Sequence, residues 1–317
     1  MTEAAPSAEH VELLLRDLHG DAVEDLTPLD GGFWSTAYGY RLGRQELVLR
    51  LGDLPEGYEM DRDAMAFDGP DLPVPAVLDI GQALGRWYAV SERRHGRHLE
   101  TIRPDEADVA GPAIMRLLAA LRAVRTEPDA PAAWRPEGPP HESTWRRWLT
   151  DSLEDDPRRP VSGWRGTLAA DADLDRLFTA CADRVRSLVP SCPERRDVVH
   201  GDLLHGNVLV SEDASRISAV FSWKCSVRGD FLYDVAWCTF WVAWHPGIAA
   251  VDVWTRLLDH RPDEDPGALD DAAVRHHCYE LQIGATHLGW YAWTGDRREL
   301  AAAARHTARI LERGPLR

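Results

Sequence analysis

The sequence predicts an α+β protein of two lobes, a small antiparallel-sheet N-lobe over residues 1–93 and a larger helical C-lobe over 94–317. Three observations carry this. Up to Glu92 the apolar residues come in short runs punctuated by Gly, Pro and charged turns, as in hairpins. Beyond it they recur at helical spacing over longer stretches. With 317 residues, 44% of them apolar, the chain has material for more than one small core.

Each element has its own signal. Ser7 is placed to cap a helix carrying Val11, Leu14, Leu15 and Leu18 on one face, and Gly20 to end it. Trp34 to Leu42, a turn at Gly43-Arg44, and Glu46 to Leu51 read as a hairpin. A short helix is expected over 56–67, and Leu72-Pro73-Val74-Pro75 as a connector that no helix can contain. A second hairpin follows from Val77–Ile80 to Trp87–Val90. In the C-lobe, Ile114, Leu117, Leu118 and Leu121 predict a helix over 113–124. Residues 126–167 read as an irregular insertion with a short helix at Trp145–Leu149, and further helices are expected over 172–189, 231–244, 249–259 and 270–311.

Composition narrows the function classes. A net charge of -16 gives no footprint for nucleic acid, which needs clustered positive charge. No apolar run approaches the roughly 18 residues that span a bilayer, and Met1 to His10 have no signal-peptide character. Cys181, Cys192, Cys225, Cys238 and Cys278 show no metal-site spacing. These features predict a soluble, reduced, cytoplasmic protein whose negative charge fits a solvated surface or a pocket that attracts a cationic small molecule. Lys224 is the chain's single lysine among 36 basic residues.

The segment Val198-Val199-His200-Gly201-Asp202-Leu203-Leu204-His205-Gly206-Asn207-Val208-Leu209-Val210 is the most informative. Two apolar stretches bracket a polar loop whose Asp and Asn are five residues apart. Such a loop can aim a carboxylate at a hydroxyl and an amide oxygen at a metal. An isolated loop aspartate is usually a turn former; the whole string is much more specific.

This string resembles the catalytic loop of the aminoglycoside phosphotransferase family, which shares the protein-kinase fold. Gly31-Gly32-Phe33-Trp34-Ser35 resembles its nucleotide-covering loop, Val48-Leu49-Arg50 the strand of the phosphate-binding cation, Arg62-Asp63-Ala64 the helix of its acidic partner, and Ser91-Glu92-Arg93-Arg94 the hinge. Arg50, the run Pro73 to Gly81 and Gly229-Asp230 are most similar to the hygromycin B phosphotransferase branch. The resemblance implies ATP and Mg²⁺ as cofactors, with Asp202 as base, Asn207 as metal ligand and Arg50 paired to Asp63 at the phosphates. It also implies that Gly31, Gly32, Ser35 and Glu92 bind the nucleotide. His200 is expected to order the loop by hydrogen bonding; His205, closer to the expected substrate hydroxyl, is a catalytic candidate for which a structural role is the ordinary reading. Asp230 is expected to bond into the catalytic loop and Asp234 to act locally.

One position departs from the pattern. Where the family delivers an aspartate to the metal, this chain reads Val220-Phe221-Ser222-Trp223-Lys224. A neutral hydroxyl is a poor substitute for an anionic Mg²⁺ ligand. Lys224 is the candidate to restore positive charge at the phosphates, or to act in metal-free chemistry with Asp202 if phosphotransfer is lost. Trp237, Phe240, Trp241 and Trp244 lie at helical spacing, ordinarily a core pattern. Together with Trp290, Tyr291 and Trp293 they also suggest a wall for an aromatic or sugar substrate. Asp270, Asp271 and Glu280 are the acids available to an amino-sugar, although a solvated face is the ordinary reading of such charges.

Overall fold

The computed structural model describes residues 6–29, 31–124, 144–259 and 267–316. The chain begins with α1 (Ala8–His19), β1 (Val23–Leu29), β2 (Ser35–Leu42), β3 (Gln45–Gly52), α2 (Glu56–Ala64), β4 (Val77–Ala83), β5 (Arg86–Glu92) and β6 (Arg97–His98). It continues with α3 (Ala107–Ala123), α4 (Trp145–Asp151), α5 (Trp164–Ala169), α6 (Ala172–Leu188), β7 (Asp197–Val199), β8 (Val208–Val210), β9 (Ile217–Val220) and β10 (Val227–Gly229). It closes with α7 (Leu232–Phe240), α8 (Pro246–Val251), α9 (Val253–Asp259), α10 (Ala272–Thr294) and α11 (Arg297–Arg313).

Two units emerge, and neither is continuous in sequence: residues 1–99 with 205–224, and residues 100–204 with 225–317. A single cut at 93/94 therefore misses the return of the chain. The physical reason is strand pairing. β6 pairs antiparallel with β8 and β8 with β9, so 97–98 and 208–220 share one small sheet.

In the first unit five antiparallel strands run in the order β1-β2-β3-β5-β4. Both predicted hairpins are present, β2 with β3 and β4 with β5. The period-two alternation of β3 divides its side chains between two faces. Leu47, Leu49 and Leu51 are buried and cluster with Val11, Leu14 and Leu15 of α1. Val48 and Arg50, on the other face, line a cavity. A one-residue slip would exchange those faces, so burial of the leucines fixes where Arg50 points. Ser7 caps α1 as predicted, its hydroxyl accepting from His10 N at 3.3 Å.

The second unit is helical, with β7 and β10 paired antiparallel. α10 is its central helix, packed against α5, α6, α7 and α11. Four helix boundaries differ from the sequence expectation. The predicted helix over 270–311 is two helices, broken at Gly295, whose φ of 77° ends α10, after which Asp296 caps α11. Asp252 (φ 49°) breaks the stretch over 249–259, and α7 ends at Phe240. α3 starts at Ala107 and carries Pro112 inside, because burial of Ala107, Ala110 and Gly111 outweighs one missing hydrogen bond. α4 lies where a short helix was expected; within the expected irregular stretch α5 also forms, and residues 125–143 lie outside the described residues.

Glu280 is an internal charge of this unit, 1% exposed, not an acid facing a substrate. It pairs with Arg313 near the end of α11, accepts from Thr239 Oγ1 at 3.1 Å, and has His276 Nδ1 at 3.4 Å. Burial pushes its carboxyl up to about 7, against the pull of Arg313, and pushes the His276 imidazole down to about 3, beside the ring of Trp254. The folded state thus holds the Glu280 proton more tightly than the unfolded chain does. Its contribution is complete below the ordinary carboxylate range and is lost as pH rises through about 7. His276 works in the opposite sense, its contribution being lost as pH falls below its ordinary value. Glu280→Gln should therefore flatten the fall in stability between about pH 5 and about pH 8. Urea midpoints at the two pH values check this; a slope identical to the wild type would mean that Glu280 is ionised throughout.

Candidate active site

A cavity of about 440 Å³ lies in the first unit, and every residue lining it belongs to that unit. Gly31, Gly32, Ser35, Arg50, Glu92, His205, Asn207 and Ser222 are all on its wall, so eight of the eleven candidate residues meet there. Gly31 is needed for the turn into β2, since a Cβ there would come within 2.8 Å of the Ser35 carbonyl oxygen. Gly32 is not required by space, since a Cβ there would have nothing within 4 Å.

Arg50 does not pair with Asp63, which is exposed; its partner is Asp61, 3% exposed. Arg50 Nη2 lies 2.5 Å from Asp61 Oδ2, and the guanidinium sits 5.1 Å from the centroid of the Tyr58 ring. The correction follows from helix geometry. Positions 61 and 63 lie roughly 200° apart around a helix at about 100° per residue, and the buried face of α2 carries Tyr58, Asp61 and Ala64. Their i, i+3 spacing was the available signal for Asp61, a residue the sequence reading did not single out.

Asp61 has a second duty. Its Oδ1 accepts from the backbone N–H of Trp223 at 2.7 Å. Val220 N donates to the Pro73 carbonyl at 2.8 Å, and Phe221 N to the Asn207 carbonyl at 3.0 Å. Ser222 is thus held between anchored neighbours in the left-handed region, with φ 67°. One carboxylate positions both the strand cation and the turn that carries Ser222.

Lys224 is not on the cavity wall. Its ammonium lies 4.0 Å from the centroid of the Trp34 ring, and its stem packs over Gly57. A cation on an aromatic face is a stabilising contact of about 0.5–1 kcal/mol at an exposed site. The structure thus places the chain's only lysine on the turn that carries Gly31 and Ser35.

The Asp202 loop starts in the second unit and passes into the first between Leu204 and His205. Asp234, 2% exposed, accepts from His200 N at 2.8 Å with Oδ2 and from Gly201 N at 2.8 Å with Oδ1. His200 Nδ1 accepts from Asp202 N at 3.2 Å, the ordering role expected of this histidine. The roles expected for the two downstream acids are exchanged. Asp234 holds the loop, while Asp230 faces Arg275 in a two-bond fork, at 2.8 Å on each side, and accepts from the Tyr279 hydroxyl at 2.7 Å. Burial pushes the Asp234 carboxyl up to about 7; its two backbone donors oppose that shift.

Further along, Trp237, Phe240 and Trp241 are buried and Trp244 is half-buried, with Trp244 Nε1 donating to Glu299 Oε2 at 2.9 Å. Most of the aromatic stripe is core. Asp270 and Asp271 are exposed.

The donor set for a resident Mg²⁺ is weak. Asn207 offers an amide oxygen and Ser222 a hydroxyl, while Asp61 has one oxygen on Trp223 and the other at Arg50. Mg²⁺ is ordinarily held through one or two carboxylates, and Asn207 and Ser222 are neutral. The residues present do not fit a protein-held metal of the usual kind.

A five-stranded sheet whose clamped cation shares a cavity wall with a glycine turn, with a buried aspartate ordering a His-Gly-Asp loop in a helical unit, defines a kinase-like phosphotransferase. The chain belongs to the phosphotransferase enzyme family, whose sequence profile matches residues 25–275. It is 29% identical over 271 residues to hygromycin-B 4-O-kinase of Escherichia coli, covering 84% of this chain and 75% of that protein. A crystal structure of aminoglycoside phosphotransferase APH(4)-Ia superposes with a TM-score of 0.83 at 26% identity, covering 96% of this chain and 99% of that one. A thermostable mutant of that protein, in ternary complex with AMP-PNP and hygromycin B, gives 0.81 at 27% identity over 95% of this chain and 98% of that one. Spectinomycin phosphotransferase APH(9)-Ia, at 12% identity and a TM-score of 0.57, covering 98% of each chain, shares the fold. No helix among the described residues is long and apolar enough to cross a membrane.

Proposed function

We propose that this phosphotransferase moves the γ-phosphoryl group of ATP to a hydroxyl of a small, polyhydroxylated molecule, an aminoglycoside-like antibiotic or a related natural product, in the cytoplasm. The observation that carries the reading is the Arg50–Asp61–Trp223 clamp on the wall of a cavity that also holds Gly31, Ser35 and Asn207. A cation fixed by a buried carboxylate on the same wall as a glycine turn suits an anionic phosphate chain. Similarity to hygromycin-B 4-O-kinase supports the acceptor class.

In this scheme the acceptor oxygen attacks the γ-phosphorus, the bond to the bridging β–γ oxygen breaks, and ADP leaves. Asp202 orients the hydroxyl and takes its proton. Arg50 draws charge from the phosphates, Gly31, Gly32 and Ser35 cover them, and Glu92 lies at the hinge. His205, exposed with φ 61°, supports the turn toward Asn207. Asn207 and Ser222 offer neutral oxygens to the phosphates or their counter-ion, and Lys224 steadies the covering turn through Trp34.

Ser222 motivates a second reading, a kinase-fold protein that has lost ATP-dependent transfer and binds or transforms a natural product by metal-free chemistry through Asp202 and Lys224. Calorimetric titration with ATP, with and without Mg²⁺, separates the two. ATP should bind, and Arg50→Ala should weaken it at least tenfold, about 1.4 kcal/mol. Absence of binding favours the second reading. Binding unchanged in Arg50→Ala would remove this unit from phosphate handling.

A further inference from the structure

The hinge end of the cavity holds an arginine whose placement the phosphate reading does not use. Gly39 of β2 lies in register with Val48 of β3 and Thr27 of β1. A Cβ at position 39 would come within 2.7 Å of Arg93 Nη1 and 3.0 Å of Arg93 Cζ. The Arg93 guanidinium therefore fills the volume that any other residue at 39 would claim. Its backbone is fixed by Arg93 N donating to the Glu46 carbonyl at 2.9 Å, which continues the alternation of β5 and puts Arg93 on the face of Ser91, toward the cavity.

Its neighbours are engaged elsewhere. Arg94 Nη2 pairs with Glu92 at 2.9 Å and His95 Nε2 with Glu46 at 2.8 Å. Among the described residues no carboxylate forms an ion pair with Arg93. A half-buried guanidinium laid against a glycine, without a carboxylate, on a wall shared with Leu29, Val48, Val77, Leu209 and Phe221, suits a flat π-system. Gly39 stands two residues along β2 from Ala37, which is in register with Arg50, a separation of about 7 Å. One end of the cavity thus offers a clamped cation for phosphates and the other a planar cation for a ring.

We propose that Arg93, seated on Gly39, is the base-stacking residue of the donor site, with the purine of the nucleotide lying on its guanidinium. This rests on the nucleotide reading above and adds the residue that recognises the base. The roof depends on two positions together, because only glycine at 39 leaves the guanidinium its place.

The test compares ATP with inorganic tripolyphosphate, which has the phosphates and no base, by calorimetry on the wild type, Arg93→Ala and Gly39→Val. Gly39→Val displaces only the end of a flexible side chain, so the sheet is retained. Both variants should bind ATP at least fivefold more weakly and tripolyphosphate within twofold of the wild type. Equal weakening of the two ligands makes Arg93 a phosphate contact and overturns the assignment. ATP affinity unchanged in Arg93→Ala overturns it alone, leaving phosphotransfer standing. A wild type that binds no ATP overturns the phosphotransfer reading and this assignment with it.

Discussion

Asp202→Asn should abolish phosphoryl transfer while leaving the thermal midpoint of unfolding unchanged. The loop is fixed through its backbone: His200 N and Gly201 N donate to Asp234, and Asp202 N donates to His200 Nδ1. None of these three bonds uses the Asp202 carboxylate, and an isosteric amide leaves all three in place. It cannot accept a proton from the acceptor hydroxyl. Loss of a positioned general base removes about 10²–10⁴-fold in rate, and the expected fall here is at the upper end because the same group also orients the nucleophile. Turnover with an aminoglycoside acceptor, alongside a melting curve, measures both halves. A variant that keeps half its turnover removes Asp202 from the mechanism.

Ser222→Asp should give the largest gain. Ser222 already sits at φ 67°, a conformation that Asp and Asn adopt more readily than most residues, and its neighbours are pinned by Asp61, Pro73 and Asn207. The substitution puts an anionic oxygen on the wall beside Asn207 without asking the backbone to move. ATP affinity should rise tenfold or more in Mg²⁺ and little without it, by the weight of one well-placed electrostatic element of about 1.4 kcal/mol or more. Lys224→Ala is the companion. With its ammonium on Trp34, its loss should loosen the covering turn and weaken ATP only a few-fold, the size of one cation–π contact of about 0.5–1 kcal/mol. Complete loss of turnover in Lys224→Ala would instead give that ammonium a role at the reacting groups. Wild-type behaviour would strip it of any role. A Ser222→Asp protein whose ATP affinity ignores Mg²⁺ would show that the turn cannot deliver a metal ligand.

Much of this was legible in the residues themselves. The hairpins, the α1 cap and the His-Gly-Asp loop are written in local patterns: alternation of period two, a hydroxyl ahead of an apolar helical face, and a fixed spacing of polar groups between apolar strands. Such signals depend on near neighbours in sequence, which hold the same relation in any fold. The family resemblance rests on the same strings and leads to the same two-lobed architecture.

Choices between similar residues needed the tertiary structure. Asp61 and Asp63 are both acids on one short helix, and only the burial of Tyr58 and Ala64 turns Asp61 to Arg50. Asp230 and Asp234 are both acids after β10, and Arg275 and Tyr279, more than forty positions on, claim the first and leave the second for the loop. Lys224 was singled out by its rarity, but its partner Trp34 lies at the other end of the sequence. The domain division likewise waited for β6 to pair with β8. The sequence determined which chemical groups this protein owns and on what elements they ride; the fold decided which of them meet, because an ion pair is set by distance in space and sequence spacing fixes that distance only within a helix turn or a strand.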